Sequence, residues 1–153
     1  MSYLEKKVPP VLVAVLFGLV VWALAAVPPT IDLVEGLRLA IVLIISLTAV
    51  LFGVSGLIGF LRAQTTVNPH RPEGASRLVT SGVYRFTRNP MYLALALILT
   101  ALAVWLETPW GLLGVVGFIL YMSRYQIVPE ERALTTLFGD EYLRYCARVR
   151  RWI

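Results

Sequence analysis

The sequence predicts an all-α fold: an integral membrane bundle of about four transmembrane helices with a cytoplasmic or interfacial helical tail. Three observations carry this. Of the 153 residues, 58% are hydrophobic and only 15% charged, against about 25% charged in soluble domains, and the mean hydropathy is +0.75. The apolar residues fall into four runs, each close to the roughly 20 residues that cross a bilayer. The charges are gathered into a few polar blocks between and after those runs. The length allows one domain, 1–153.

The first span is expected over 8–27, after a leader ending in Lys6-Lys7. It carries no charge, lacks a small-residue cleavage site, and leads into Val27-Pro28-Pro29, so a membrane exit is expected rather than a cleaved signal peptide. A short turn with Asp32 and Glu35 leads to the second span, 37–61, with Arg38 near its start. The polar loop 62–89 follows, with Arg62, Arg71, Arg77, Arg85 and Arg88 against the single acid Glu73. The third span, 90–106, opens at Asn89-Pro90, with Asn as N-cap and Pro at the first helical position. The turn Glu107-Thr108-Pro109 joins it to the fourth span, 110–128, as a hairpin.

In the tail, 129–153, Pro129 is expected to start one short helix with Glu130 and Glu131 in its first turn. Gly139 should end it and Asp140 should cap the next. Tyr142, Tyr145, Cys146 and Val149 share one face of that second helix, flanked by arginines, which predicts an interfacial helix with its apolar face toward lipid.

The net charge of +5 lies beside apolar spans, so the expected anionic partner is the lipid headgroup and not nucleic acid. The leader, the large loop, and the tail with Arg124 hold 2, 5 and 6 Lys or Arg. Four spans with both termini cytoplasmic satisfy the positive-inside rule at each loop. Gly53, Gly56 and Gly59, and likewise Gly111, Gly114 and Gly117, recur every third residue and predict close helix packing in lipid.

The chemistry is narrowed by exclusion. The sequence has no P-loop, HExxH or CxxC, and no GxGxxG following a strand. A single Cys and a single His exclude an internal disulfide and a His-based metal cluster. No span carries a charge in its middle, which argues against a proton-coupled exporter. What remains is a cluster expected at the cytoplasmic face: Tyr84, Arg85, Arg88, Asn89, Tyr92, Arg124, Glu130 and Glu131.

Those residues carry a resemblance. Leu78-Val79-Thr80-Ser81-Gly82-Val83-Tyr84-Arg85, then Arg88-Asn89-Pro90-Met91-Tyr92, then Glu130-Glu131 with Leu134, Phe138-Gly139 and Tyr142 to Tyr145, resemble the isoprenylcysteine carboxyl methyltransferases. Their wider group includes the phospholipid N-methyltransferases. The resemblance covers roughly 66–151. It implies an S-adenosylmethionine-dependent methyltransferase that releases S-adenosylhomocysteine and acts on a lipophilic or small acceptor, most like isoprenylcysteine carboxyl O-methylation, with no metal. It implies cofactor contacts from Ser76, Arg77, Leu78, Val79, Tyr84, Asn89, Pro90, Met91, Tyr92, Glu130 and Glu131. Arg88, Asn89, Tyr92 and Arg124 are the expected catalytic residues, and Arg124 and Gln126 the expected acceptor contacts. Gln126 stands where the eukaryotic protein-modifying enzymes carry an arginine. Asn89 stands where the family carries a histidine and cannot act as a base, and Ala94 replaces a glycine. A phospholipid amine or a small thiol is the alternative acceptor, and a non-catalytic helical scaffold the alternative of another class.

Overall fold

Prolines open two of the helices. A helix N-terminus leaves its first N–H groups without intrahelical partners, so a residue lacking one fits there. In the computed structural model, which describes residues 8–63 and 78–153, α1 begins at Pro10 and ends at Leu24, and α3 runs Pro90–Trp105. The other helices are α2 (Glu35–Ala63), α4 (Gly111–Met122), α5 (Val128–Phe138) and α6 (Asp140–Arg148). A 3₁₀ turn covers Gly82–Arg85 and a π-helical turn Ser123–Ile127. No strand occurs among the described residues, as the composition predicted.

Two helices are long and apolar enough to cross a membrane, Glu35–Arg62 and Gly111–Phe138. The helices α1 and α3 are shorter, 15 and 16 residues, or about 22–24 Å at 1.5 Å per residue. The expected span 8–27 is therefore helical over only part of its length. After Leu24 the chain tightens into i→i−3 bonds, Ala25 N–H to Trp22 and Ala26 N–H to Ala23, and then meets Pro28-Pro29.

The fourth run corrects the expected break at Pro129. The helix does not stop at 128. Val128 N–H donates to Ser123 O, five residues back, and this wider turn takes up the proline, which cannot donate to the carbonyl four residues back and whose ring would clash with it in an ordinary α turn. The helix continues to Phe138, where Gly139 takes φ +48°. Gly139 also occupies the cap position of α6, and Asp140, the expected cap, is its first helical residue.

The central helix is α3. It packs along α2, and against α1 and α4, while α1 lies against both α3 and α4. The main core joins Val13, Tyr92, Ala96, Leu99, Val115, Phe118, Met122 and Ile127, with Phe17 edge-on to Phe118 at 6.1 Å. The outward side of α2 stays bare: Leu43, Ile44, Leu47 and Leu51 are 53–66% exposed. An apolar face of that extent is expensive in water and is satisfied by lipid. Both glycine stripes lie at close contacts, as expected. A Cβ on Gly56 would come 3.0 Å from Pro90, and one on Gly114 would come 2.7 Å from Val21.

At the far end of α3, Glu107 ties the loops together. Its backbone takes φ +54°, its carbonyl accepts Ile31 N–H at 2.9 Å, and its carboxylate accepts Leu33 N–H at 3.0 Å. Arg38 pairs with it at 3.1 Å and lies over the Trp105 ring. The one basic residue expected at the edge of an acidic turn is thereby neutralised.

Gly114→Ala should lower the thermal unfolding midpoint in detergent by an amount equal to about 1–3 kcal/mol, because its Cβ meets Val21 in a packed interface. Gly36→Ala, with nothing within 4 Å, should leave the midpoint unchanged or slightly raised.

Candidate functional site

The near end of α3 is held by backbone and side chain together. Asn89 O accepts Leu93 N–H at 2.9 Å, the backbone bond of a cap residue. The expected side-chain cap is not made. Asn89 Nδ2 donates instead to Arg151 O at 2.9 Å, and Asn89 N–H donates to Thr87 Oγ1. Thr87 is fully buried and its hydroxyl also donates to Arg151 O. Arg88 N–H donates to Arg150 O at 3.1 Å. The chain after α6 therefore runs as a strap across residues 87–89. Its carbonyls accept from Arg88 N–H, the Thr87 hydroxyl and Asn89 Nδ2, contacts that the sequence did not indicate.

One turn into α3, the buried Tyr92 directs its hydroxyl to Glu130 Oε1 at 2.7 Å. Gln126, 3% exposed, donates Nε2 to the same oxygen at 2.7 Å. Gln126 lies in the π turn and Glu130 follows it, so the widened turn delivers an amide and a carboxylate to one phenol. Because the helix is continuous here, Glu130 and Glu131 are not at a free helix N-terminus, and the macrodipole does not explain them.

Glu131 is gripped by two guanidinium groups. Arg88 Nη2 is 3.1 Å from Oε1, and Arg151 forks onto both oxygens at 3.0 and 2.6 Å. The hydrogen bonds to Glu131 raise the Arg151 pKa above its ordinary value. Arg88 Nη1 also meets Cys146 Sγ, while Arg88 Nε is buried with no hydrogen-bond partner among the described residues. A buried, unsatisfied donor is uncommon in native structures and calls for an explanation.

Beside this cluster lies a second layer. Tyr84, Val79, Tyr142, Tyr145 and Val149 form a buried cluster. Tyr84 donates to Gly56 O at 3.4 Å, and Tyr145 donates to Tyr84 O at 2.8 Å. The apolar face of α6 thus packs on the 78–85 segment and not toward lipid, which corrects the interfacial reading. Periodicity identified the face, but its partner lies some 60 residues earlier in the chain. Burial pushes the phenols of Tyr84, Tyr142 and Tyr145 above their ordinary range. Nearby Tyr145 and Glu130 add to this for Tyr84, the Cys146 hydrogen bond adds for Tyr142, and Arg88 opposes it for Tyr145.

Of the expected site residues, Arg88, Asn89, Tyr92, Gln126, Glu130 and Glu131 are brought together. Pro90 opens α3 and is buried, and Met91 packs toward Gly56. Leu78 and Val79 line a cavity of about 600 Å³ with Gly59, Arg62 and Ser81, on the α2 side of Tyr84. Arg124 is exposed and lies over the Tyr125 ring at 5.7 Å. Ser76 and Arg77 lie outside the described residues. Sequence reading missed Thr87, Arg151 and Trp152. Trp152 donates Nε1 to Ser123 Oγ at 3.1 Å and packs on the main core. The available signal was Val149-Arg150-Arg151-Trp152 itself, an apolar–basic–aromatic run beyond the last helix.

The described residues form a helical bundle with a bare apolar exterior and a carboxylate–phenol–amide cluster at one end of its central helix, as fits a small membrane protein. The phospholipid methyltransferase family model matches residues 37–141, more than half of the chain, and the chain belongs to that family. An uncharacterized protein of Haemophilus influenzae is 51% identical over 63 residues, 41% of this chain and 100% of that protein. No solved structure matches.

In an absorbance titration, the phenols of Tyr84, Tyr142 and Tyr145 should stay protonated past pH ~10, the ordinary tyrosine value. Their folded values are raised, so the stability they contribute is complete below pH ~10 and falls as pH rises above it. Phenolate absorbance from these three should appear together with loss of helical circular dichroism.

Proposed function

We propose that this protein transfers a methyl group from S-adenosylmethionine to a lipophilic acceptor at the cytoplasmic membrane face, as a four-span protein with both termini cytoplasmic. The Tyr92–Glu130–Gln126 cluster carries this reading. It places one carboxylate, held by two neutral donors, at the start of the central helix in a member of a methyltransferase family.

The residues fit the donor. Glu130 would hold its amino group or ribose, and the first-turn N–H groups of α3 would hold its carboxylate. The cavity beside Leu78 and Val79, about 600 Å³, is of the size small-molecule sites have, roughly 300–1,000 Å³. When bound, S-adenosylmethionine supplies a sulfonium methyl that the acceptor's lone pair takes as the neutral thioether leaves. The chain's task is then positioning and exclusion of water, and no strong acid is required. Asn89 cannot serve as a base, and its amide is committed to Arg151 O.

Two acceptor classes are compatible with this scaffold. Isoprenylcysteine-like carboxyl O-methylation is supported by the motif order, with Arg124 as the group that would orient a carboxylate. A phospholipid amine or a thiol is favoured by one observation: Gln126 is neutral and turned to Glu130, and Arg88 and Arg151 are both engaged with Glu131.

Calorimetry on the detergent-purified protein should show binding of S-adenosylmethionine and S-adenosylhomocysteine, weakened at least about tenfold in Glu130→Ala, the scale of one lost charged contact. Wild-type affinity in that variant would overturn the site map. No binding by folded wild type in lipid nanodiscs would favour the scaffold. Among acceptors, methylation of a prenylcysteine that is lost in Arg124→Ala would support the carboxylate, and methylation of an amine or thiol that survives it would support the alternative.

A further inference from the structure

We infer that Arg151 is a positioning residue of the donor site, and that the strap 149–152 is the element that assembles it; this rests on the donor-binding reading above. The strap touches each part of the site. Its start, Val149, is buried with Val79 and Tyr84. The Arg150 and Arg151 carbonyls satisfy Arg88 N–H, Asn89 Nδ2 and Thr87 Oγ1, which fixes the entry to α3. The Arg151 guanidinium forks onto Glu131. Trp152 fixes the π turn through Ser123 and packs on the core that contains Tyr92.

The chemistry of the acidic pair explains why such a residue is needed. Glu130 and Glu131 are adjacent carboxylates that repel each other. A donor bearing a positive sulfonium and an ammonium would be drawn to either. With Arg88 and Arg151 both on Glu131, that carboxylate is charge-compensated and held in place, so a cationic donor is not drawn to it. The fork geometry matters as well as the charge. A planar guanidinium holds both carboxylate oxygens in one orientation, which an ammonium cannot do. Arg151 acts on the donor through Glu131, so its effect should depend on Glu131.

The test is donor affinity by calorimetry on the full chain in detergent, with thermal midpoints recorded without donor. Arg151→Ala should weaken S-adenosylhomocysteine binding about tenfold, as expected for a lost charge-assisted contact, and Arg151→Lys should weaken it by less. Arg144→Ala, an exposed arginine on α6, should leave it unchanged. In a double-mutant cycle with Glu131→Gln, the combined variant should bind no worse than the weaker single one, since both changes remove one interaction. Wild-type affinity in folded Arg151→Ala, or strictly additive losses, would overturn the inference even where the thermal midpoint falls, because the strap would then be structural only. If Arg151→Ala does not fold, Arg151→Lys decides: undiminished affinity overturns the inference and a partial loss supports it. No donor binding by wild type would instead overturn the donor-site reading, and the role of Arg151 with it.

Discussion

Two guanidinium groups converging on the Glu131 carboxylate hold together three segments that are far apart in sequence. Arg88 precedes the central helix, Glu131 follows the π turn, and Arg151 follows the last helix. Remove the carboxylate and the two cations face each other half-buried, which is strongly unfavourable. With it in place, the strap lies against residues 87–89, α3 begins at Pro90, and Tyr92 comes into register with Glu130. The order of dependence runs from a charge cluster, to a helix start, to a phenol one turn on.

The opposite end of α3 uses the same device. Arg38 and Glu107 pair there, beside Trp105, and Glu107 also accepts from the loop that joins α1 to α2. Between the two ends the described helices meet through apolar side chains and glycines. That division suits a bilayer, where hydrocarbon offers helices no hydrophobic drive to associate and packing depends on close approach. Polar groups at each rim then define how α3 sits, and the small residues of α2 and α4 let its neighbours close on it.

Much of this was legible in the sequence because it depends on local rules. Asn89-Pro90 marked the start of α3, Gly139 marked the end of α5, and the glycine stripes marked the contact faces. The features that were not legible depend on partners distant in the chain. Asn89 reads as a side-chain cap, yet a carbonyl 62 residues away takes its amide. The aromatic face of α6 reads as lipid-facing, yet the Tyr84 segment covers it. Arginines near the last residues read as headgroup anchors, and only the Val149-Arg150-Arg151-Trp152 run beyond the last helix sets Arg151 off from Arg144. Pro129 reads as a break because a π turn leaves no mark in composition.

The π turn has a further consequence, which concerns chain length and not residue identity. Each residue advances a helix by about 100°, so the residue added between Ser123 and Ile127 sets which side of α5 bears Glu130. A substitution at Arg124 changes one side chain and leaves the register of the helix in place. Deleting that same residue would leave the helix and its hydropathy nearly intact, yet swing Glu130 away from Tyr92 and drive Pro129 into an ordinary α turn. In a comparison of related chains, a one-residue gap in this stretch would therefore mark a change of chemistry more surely than several substitutions around it.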